Sequence, residues 1–124
     1  MLNGLLKKPW PSLIWTGLIF FLLTVRTDNI QSVPLLGFRH LDKVVHVFLF
    51  GVLFLLWARF LAGKTALRRT HLLGMFMGVT AYGIGMEFYQ DLFTTRAFEW
   101  ADILADTAGA ALGMLYIGIK NKPL

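Results

Sequence analysis

VVHVFLFGVLFLLWARFLA, residues 44–62, decides how the rest of the chain is to be read. Within it only His46 and Arg59 can ionise, and Arg59 lies near the far end, where its long stem can carry the charge to lipid headgroups. A helix rising 1.5 Å per residue needs roughly 20 apolar residues to cross a hydrocarbon core. The stretch therefore predicts a transmembrane helix.

Three further stretches extend the pattern. The first, from about Trp10 to Val25, contains LIWTGLIFFLLTV; Lys7 and Lys8 precede it and Arg26 follows. It ends Thr24-Val25-Arg26-Thr27-Asp28 without a small-residue cleavage site, so it predicts an uncleaved, rather short span and not a signal peptide. The next, Leu72 to about Gln90, is rich in glycine, and the last, about Ala101 to Ile119, carries Asp102, Asp106, Gly109 and Gly113. GxxxG spacings at Gly74/Gly78 and Gly109/Gly113 fit helices whose backbones approach closely in lipid. Lipid offers backbone groups no partners, so every span must be helical. The fold predicted is all-α, a four-helix transmembrane bundle forming one domain over residues 1–124, with helices at about 10–25, 44–62, 72–90 and 101–119.

Composition agrees. Of the 124 residues, 56% are hydrophobic and 15% charged, where a soluble domain has about 25% charged. The absence of cysteine excludes disulfides, thiolate metal sites and thiol nucleophiles. A net charge of +5 raises nucleic acid as a partner, but no basic run exceeds two residues, so none is expected. Four spans put both ends on one side, with Lys7, Lys8, Arg59, Lys64, Arg68, Arg69, Lys120 and Lys122. Arg26, Arg39, Lys43 and Arg96 fall on the other. The excess of positive charge predicts a multi-pass protein of the cell inner (cytoplasmic) membrane with both termini in the cytoplasm.

All seven acids (Asp28, Asp42, Glu87, Asp91, Glu99, Asp102 and Asp106) fall at the opposite, outer end. Three helices each bring a polar pair there: Asp42 with His46, Glu87 with Gln90, and Asp102 with Asp106. Spacings of three or four residues hold each pair on one helix face. A charged side chain at mid-helix costs roughly 2.5–3.5 kcal/mol on insertion scales, less near the ends, so these groups should face one another or water. Arg96 in the third outer loop, residues 91–100, is the expected counter-charge, with Lys43 as a second.

These residues allow three functions. They can bind the headgroup of an amphiphile such as a lipid or lipoglycopeptide; they can hydrolyse or transfer an envelope-lipid group, with Glu87 or His46 as general base; or they can only lock the helix packing of a non-catalytic scaffold or partner subunit. Whether there is a reaction is left open. His46 with Asp42, Glu87 or Asp106 is a chemically reasonable N/O metal set, but no HExxH-type spacing supports it, so no metal site is expected. Neither phosphate-cradling glycine pattern is present, and no cofactor is expected. His40 and His71 are expected in solvated loops. Membrane lipids are the expected partners, and self-association is compatible with the sequence.

Asp42-Lys43-Val44-Val45-His46, followed by Phe50 and Gly51, resembles the "DK..H...F" signature of VanZ-like membrane proteins. Glu87-Phe88-Tyr89-Gln90, with Arg96, Glu99 and Asp102, resembles that family's "E..Q.....R...D..D" segment. Asp102 to Gly109 resembles "D...N..G", with Asp106 where asparagine is usual, and Gln31-Ser32-Val33-Pro34 fits the first loop. The resemblance implies a small four-helix membrane protein of the bacterial cell envelope. Its namesake is associated with low-level teicoplanin resistance. By this resemblance Asp42, Lys43, His46, Glu87, Gln90, Arg96, Glu99, Asp102 and Asp106 are the expected binding residues, and an acid at 106 adds negative charge to their site.

Overall fold

The computed structural model of the chain describes residues 2–24, 39–93 and 98–120, with side chains from residue 4 and, in the second segment, from residue 43. The described residues form helices joined by turns, with no strand among them. In order they are α1 (Leu2–Leu6), α2 (Trp10–Thr24), α3 (Arg39–Ala62), α4 (Arg69–Phe93) and α5 (Trp100–Lys120). The four longer helices stand where the hydropathy pattern predicts them. α3 and α4 begin earlier than the apolar runs alone indicate, and the short α1 was not predicted.

Local chemistry sets the boundaries. Pro11 lies in the first turn of α2, where a missing N–H costs nothing. At the head of α4, the Arg68 amide donates to His71 Nδ1 at 3.0 Å while Leu72 N donates back to Arg68 O at 3.1 Å. A side chain reaching back in this way satisfies a donor the helix cannot. His71 thus caps a helix, and His40 lies in the first turn of α3; neither is in the loop expected for it. α5 begins with Asp102 in its first turn, where negative charge suits the N-terminal dipole.

α3 and α5 form the closest-packed pair. A Cβ on Gly109 would collide with the Val47 carbonyl oxygen and come within 3.0 Å of Gly51 N, and one on Gly113 would sit 3.0 Å from Phe54 Cβ. Only glycine permits this approach, which brings backbone against backbone as small-residue membrane interfaces do. Gly74 and Gly78 do nothing comparable, since a Cβ at either would meet nothing within 4 Å. The second GxxxG spacing is thus no contact between described residues. Phe50 and Phe54 of α3 and Ile19 of α2 are wholly buried at the centre.

α2 is fastened by side chains reaching across to backbone. Trp15 Nε1 donates to Leu49 O at 2.9 Å, Tyr82 Oη to Thr16 O at 2.8 Å and Gln90 Nε2 to Leu23 O at 2.5 Å. Polar bonds of this kind hold helices together where apolar burial supplies no drive.

The distribution of polarity is inverted relative to a water-soluble bundle. Ile14, Phe48, Met77 and Leu104 are 60–69% exposed, whereas His46, Glu87, Gln90, Asp102 and Asp106 are buried to 1% or less. Large apolar side chains exposed on each of the four long helices point to contact with membrane or protein. Two helical segments, Lys43–Ala62 and Trp100–Lys120, are long and apolar enough to cross a bilayer, with mean hydropathy 2.2 and 1.3. The predicted four spanning helices are therefore met only as four long helices. α2, at 15 residues, covers about 22 Å of a roughly 30 Å core. α4 is diluted by its glycines and by Glu87, Gln90 and Asp91.

Candidate functional site

At one end of the bundle three helices converge on a buried polar centre. α3 supplies Lys43 and His46, one turn apart on the face that continues to Phe50. α4 supplies Glu87, and α5 supplies Asp102 and Asp106. The α5 face runs on through Gly109, Ala110 and Gly113, all buried, so the stripe that packs against α3 also delivers both carboxylates.

His46 Nδ1 and Asp106 Oδ1 are 2.7 Å apart, both side chains sealed from solvent. With Asp106 ionised the ring proton sits on Nδ1 and donates to the carboxylate, which turns Nε2 toward Asp102, whose Oδ2 is 3.9 Å away. That separation is too long for a hydrogen bond. Room for Asp106 comes from Gly83 of α4, where a Cβ would stand 2.9 Å from Asp106 Oδ2 and 3.1 Å from its Cβ.

Glu87 serves the joint between α4 and α5. Its Oε2 accepts the backbone N–H of Glu99 at 3.1 Å, immediately before α5 begins. Its Oε1 is buried and receives no N–H from the described residues, and the Glu87 and Asp102 carboxyls stand within hydrogen-bond reach of each other. One ligand atom each from His46, Glu87 and Asp102 lie within 4.8 Å of one another.

Lys43 closes the centre on the outside. Its Nζ is paired with Asp102 Oδ1 and with Glu99 Oε2, the latter at 2.5 Å. The Lys43 side chain is 24% exposed and that of Glu99 47%, while Asp102 lies beneath them. This pair forms the rim. Phe88, Phe98 and Trp100 stand beside it, with ring centroids 5.1 Å apart from Phe88 to Phe98 and from Phe98 to Trp100.

Of the residues singled out in the sequence, the structure brings together Lys43, His46, Glu87, Glu99, Asp102 and Asp106. Gln90 is buried nearby but gives its amide N–H to α2. Arg96, the expected counter-charge, lies outside the described residues, as do the Asp42 side chain and the loop at 31–34. Among the described residues Lys43 supplies a counter-charge. One residue that motif reading missed shapes the site: Gly83, which leaves space for Asp106. Gly83 lies four residues before Glu87 on the same face, the one signal that could have found it. A hollow of about 370 Å³ among α2, α3 and α4 and a groove of about 720 Å³ between the head of α4 and the tail of α5 are lined by none of the polar group.

A family model described as VanZ/LLP1 matches residues 6–121, nearly the whole chain. The chain is also similar to an uncharacterized protein of the fission yeast Schizosaccharomyces pombe, C11E3.10, at 33% identity over 106 residues. That match covers 84% of this chain and 63% of the yeast protein, so the chain spans less than two thirds of its relative's length. No solved structure matches.

Proposed function

The chain belongs to the VanZ-like family, and on that premise we propose that it is a multi-pass membrane protein whose polar centre receives the headgroup of a membrane amphiphile. All four long helices cross the bilayer in this reading, both termini are cytoplasmic, and the polar end lies just beneath the outer headgroups of the cell's inner membrane. The supporting observation is the group itself: His46, Glu87, Asp102 and Asp106 buried at one end of a bundle whose outside is apolar, with Lys43 over them at the rim. Ionisable side chains inside membrane helices are costly to insert and by default mark function. Lys43 and Glu99 would meet the headgroup first, with Trp100, 73% exposed, at interface depth beside them.

A relative in yeast makes a lipid common to bacterial and fungal membranes the more economical ligand than a lipoglycopeptide such as teicoplanin. Protein reconstituted in nanodiscs should bind short-chain phospholipid headgroup analogues saturably. Lys43→Met and Glu87→Gln, if helical and monodisperse, should weaken binding by about tenfold or more, equivalent to about 1.4 kcal/mol. Unchanged binding in both would refute the headgroup site, and binding of teicoplanin alone would shift the ligand to lipoglycopeptides. The chain's lack of cysteine allows topology to be mapped with single introduced cysteines. Labelling of a cysteine at position 96 only from the cytoplasm would overturn the orientation.

The His46–Asp106 pair supports a second reading, in which the centre hydrolyses or transfers a lipid group. A carboxylate on Nδ1 holds an imidazole in the tautomer and orientation a general base requires. Turnover of candidate lipids by purified protein that disappears in His46→Ala would favour it; no turnover with any added metal would remove it.

A further inference from the structure

We propose that His46, Glu87 and Asp102 form a binding site for one divalent cation of the zinc or manganese type, oriented by Asp106. The donor set is one imidazole nitrogen and two carboxylate oxygens, which suits first-row cations that accept mixed N and O ligands. Ligand atoms 2.0–2.2 Å from a shared ion stand at most about 4.4 Å from each other. His46 Nε2 and Asp102 Oδ2, at 3.9 Å, already meet that limit. The full set lies within 4.8 Å, a few tenths of an ångström beyond it.

Three further features fit an ion. Glu87 uses Oε2 on the Glu99 amide, its wholly buried Oε1 receives no protein N–H, and its carboxyl stands within hydrogen-bond reach of the Asp102 carboxyl, the approach of two oxygen ligands to one ion. Asp102 divides its oxygens in the same way, Oδ1 to Lys43 and Oδ2 toward the imidazole. Asp106 on His46 Nδ1 reproduces the carboxylate–histidine–metal relay, in which an outer carboxylate fixes the ring and raises its basicity. Three protein ligands leave a further coordination position, which a water or a headgroup phosphate oxygen can take. An ion there would let a predominantly acidic site accept a phosphate that its carboxylates would otherwise repel. That consequence rests on the headgroup reading; the metal site itself does not.

The test is made in detergent without added phospholipid, so that it is independent of headgroup binding. Full-length protein is stripped with EDTA, dialysed against ZnCl₂ or MnCl₂, gel-filtered, and its metal counted by mass spectrometry. One ion per chain is expected in the wild type and in a His40→Ala/His71→Ala double variant. Loss is expected in His46→Ala and Glu87→Gln, and Asp106→Asn should weaken affinity by about tenfold or more. No retained metal in the wild type, or metal lost only with His40 and His71, would overturn the site. Should the ligand variants fail to fold, zinc-edge X-ray absorption of the loaded wild type decides: a single imidazole with oxygen ligands supports the site, and an all-oxygen or multi-imidazole shell refutes it. Headgroup binding that persists in EDTA alongside a positive metal count would separate the two functions while leaving the site intact.

Discussion

His46 and Asp106, sixty positions apart, meet at 2.7 Å with neither side chain open to solvent. Asparagine, usual at position 106 in the pattern the chain resembles, could accept the same Nδ1 proton. Asp106→Asn should therefore keep stability within about 1 kcal/mol, whereas Asp106→Ala strands a buried donor and should cost about 1–3 kcal/mol. Thermal unfolding in detergent compares them; equal losses would show that asparagine does not reproduce the bond, and no loss in Asp106→Ala that the bond contributes nothing.

Lys43 lies between two regimes, one side facing solvent and the other on a buried Asp102. Exposed pairs contribute up to about 1 kcal/mol, and breaking a buried pair costs about 3–5 kcal/mol. Lys43→Met should fall between, near 2 kcal/mol, and Asp102→Asn in the same chain should recover part of it. A double-mutant cycle reads the coupling; additive losses would contradict the ion pair.

The two GxxxG spacings should respond oppositely to alanine. Gly109→Ala drives a methyl into Val47 of α3 and should cost about 1–3 kcal/mol through overpacking. Gly74→Ala and Gly78→Ala meet open space and should be neutral or stabilising by up to about 1 kcal/mol, from helix propensity. The same unfolding series checks both, and a harmless Gly109→Ala would disprove the α3–α5 register.

Gln90 donates to Leu23 O in the last turn of α2, where helix carbonyls have no partner of their own. Gln90→Leu should destabilise by about 0.6–1.7 kcal/mol, the range measured for bonds between membrane helices. Cleavage by protease after residue 24 should also rise. No change in either would indicate that water or lipid serves that carbonyl equally well.

Much of the centre was legible before any coordinates. His46, Glu87, Asp102 and Asp106 each lie one helical turn from another polar residue, and periodicity alone puts such neighbours on one face. What periodicity cannot supply is rotation of one helix against another. It left open that His46 would find Asp106 on α5, and it did not show that Gln90 would turn toward α2. Nor could spacing separate Gly109/Gly113, pressed against α3, from Gly74/Gly78, where an added Cβ would meet nothing among the described residues; both are the same four-residue step. α3 and α5 are long and apolar enough to cross a bilayer because apolar length carries that signal directly. α2, fifteen residues long, and α4, whose polar and glycine content lowers its hydropathy, fall short of that measure.

The distance along the chain between His46 and Asp106 also sets a timetable for biosynthesis. At 5–20 residues per second the ribosome needs roughly 3–12 s to make the sixty residues between them. Throughout that interval α3 already carries an imidazole and an ammonium group whose acidic partners on α5 do not yet exist. The nascent hairpin must shelter those groups beside the insertion machinery or in water until the last helix arrives. A chain truncated after Phe93 never receives them, and pulse-chase labelling should show it degraded faster than the complete protein.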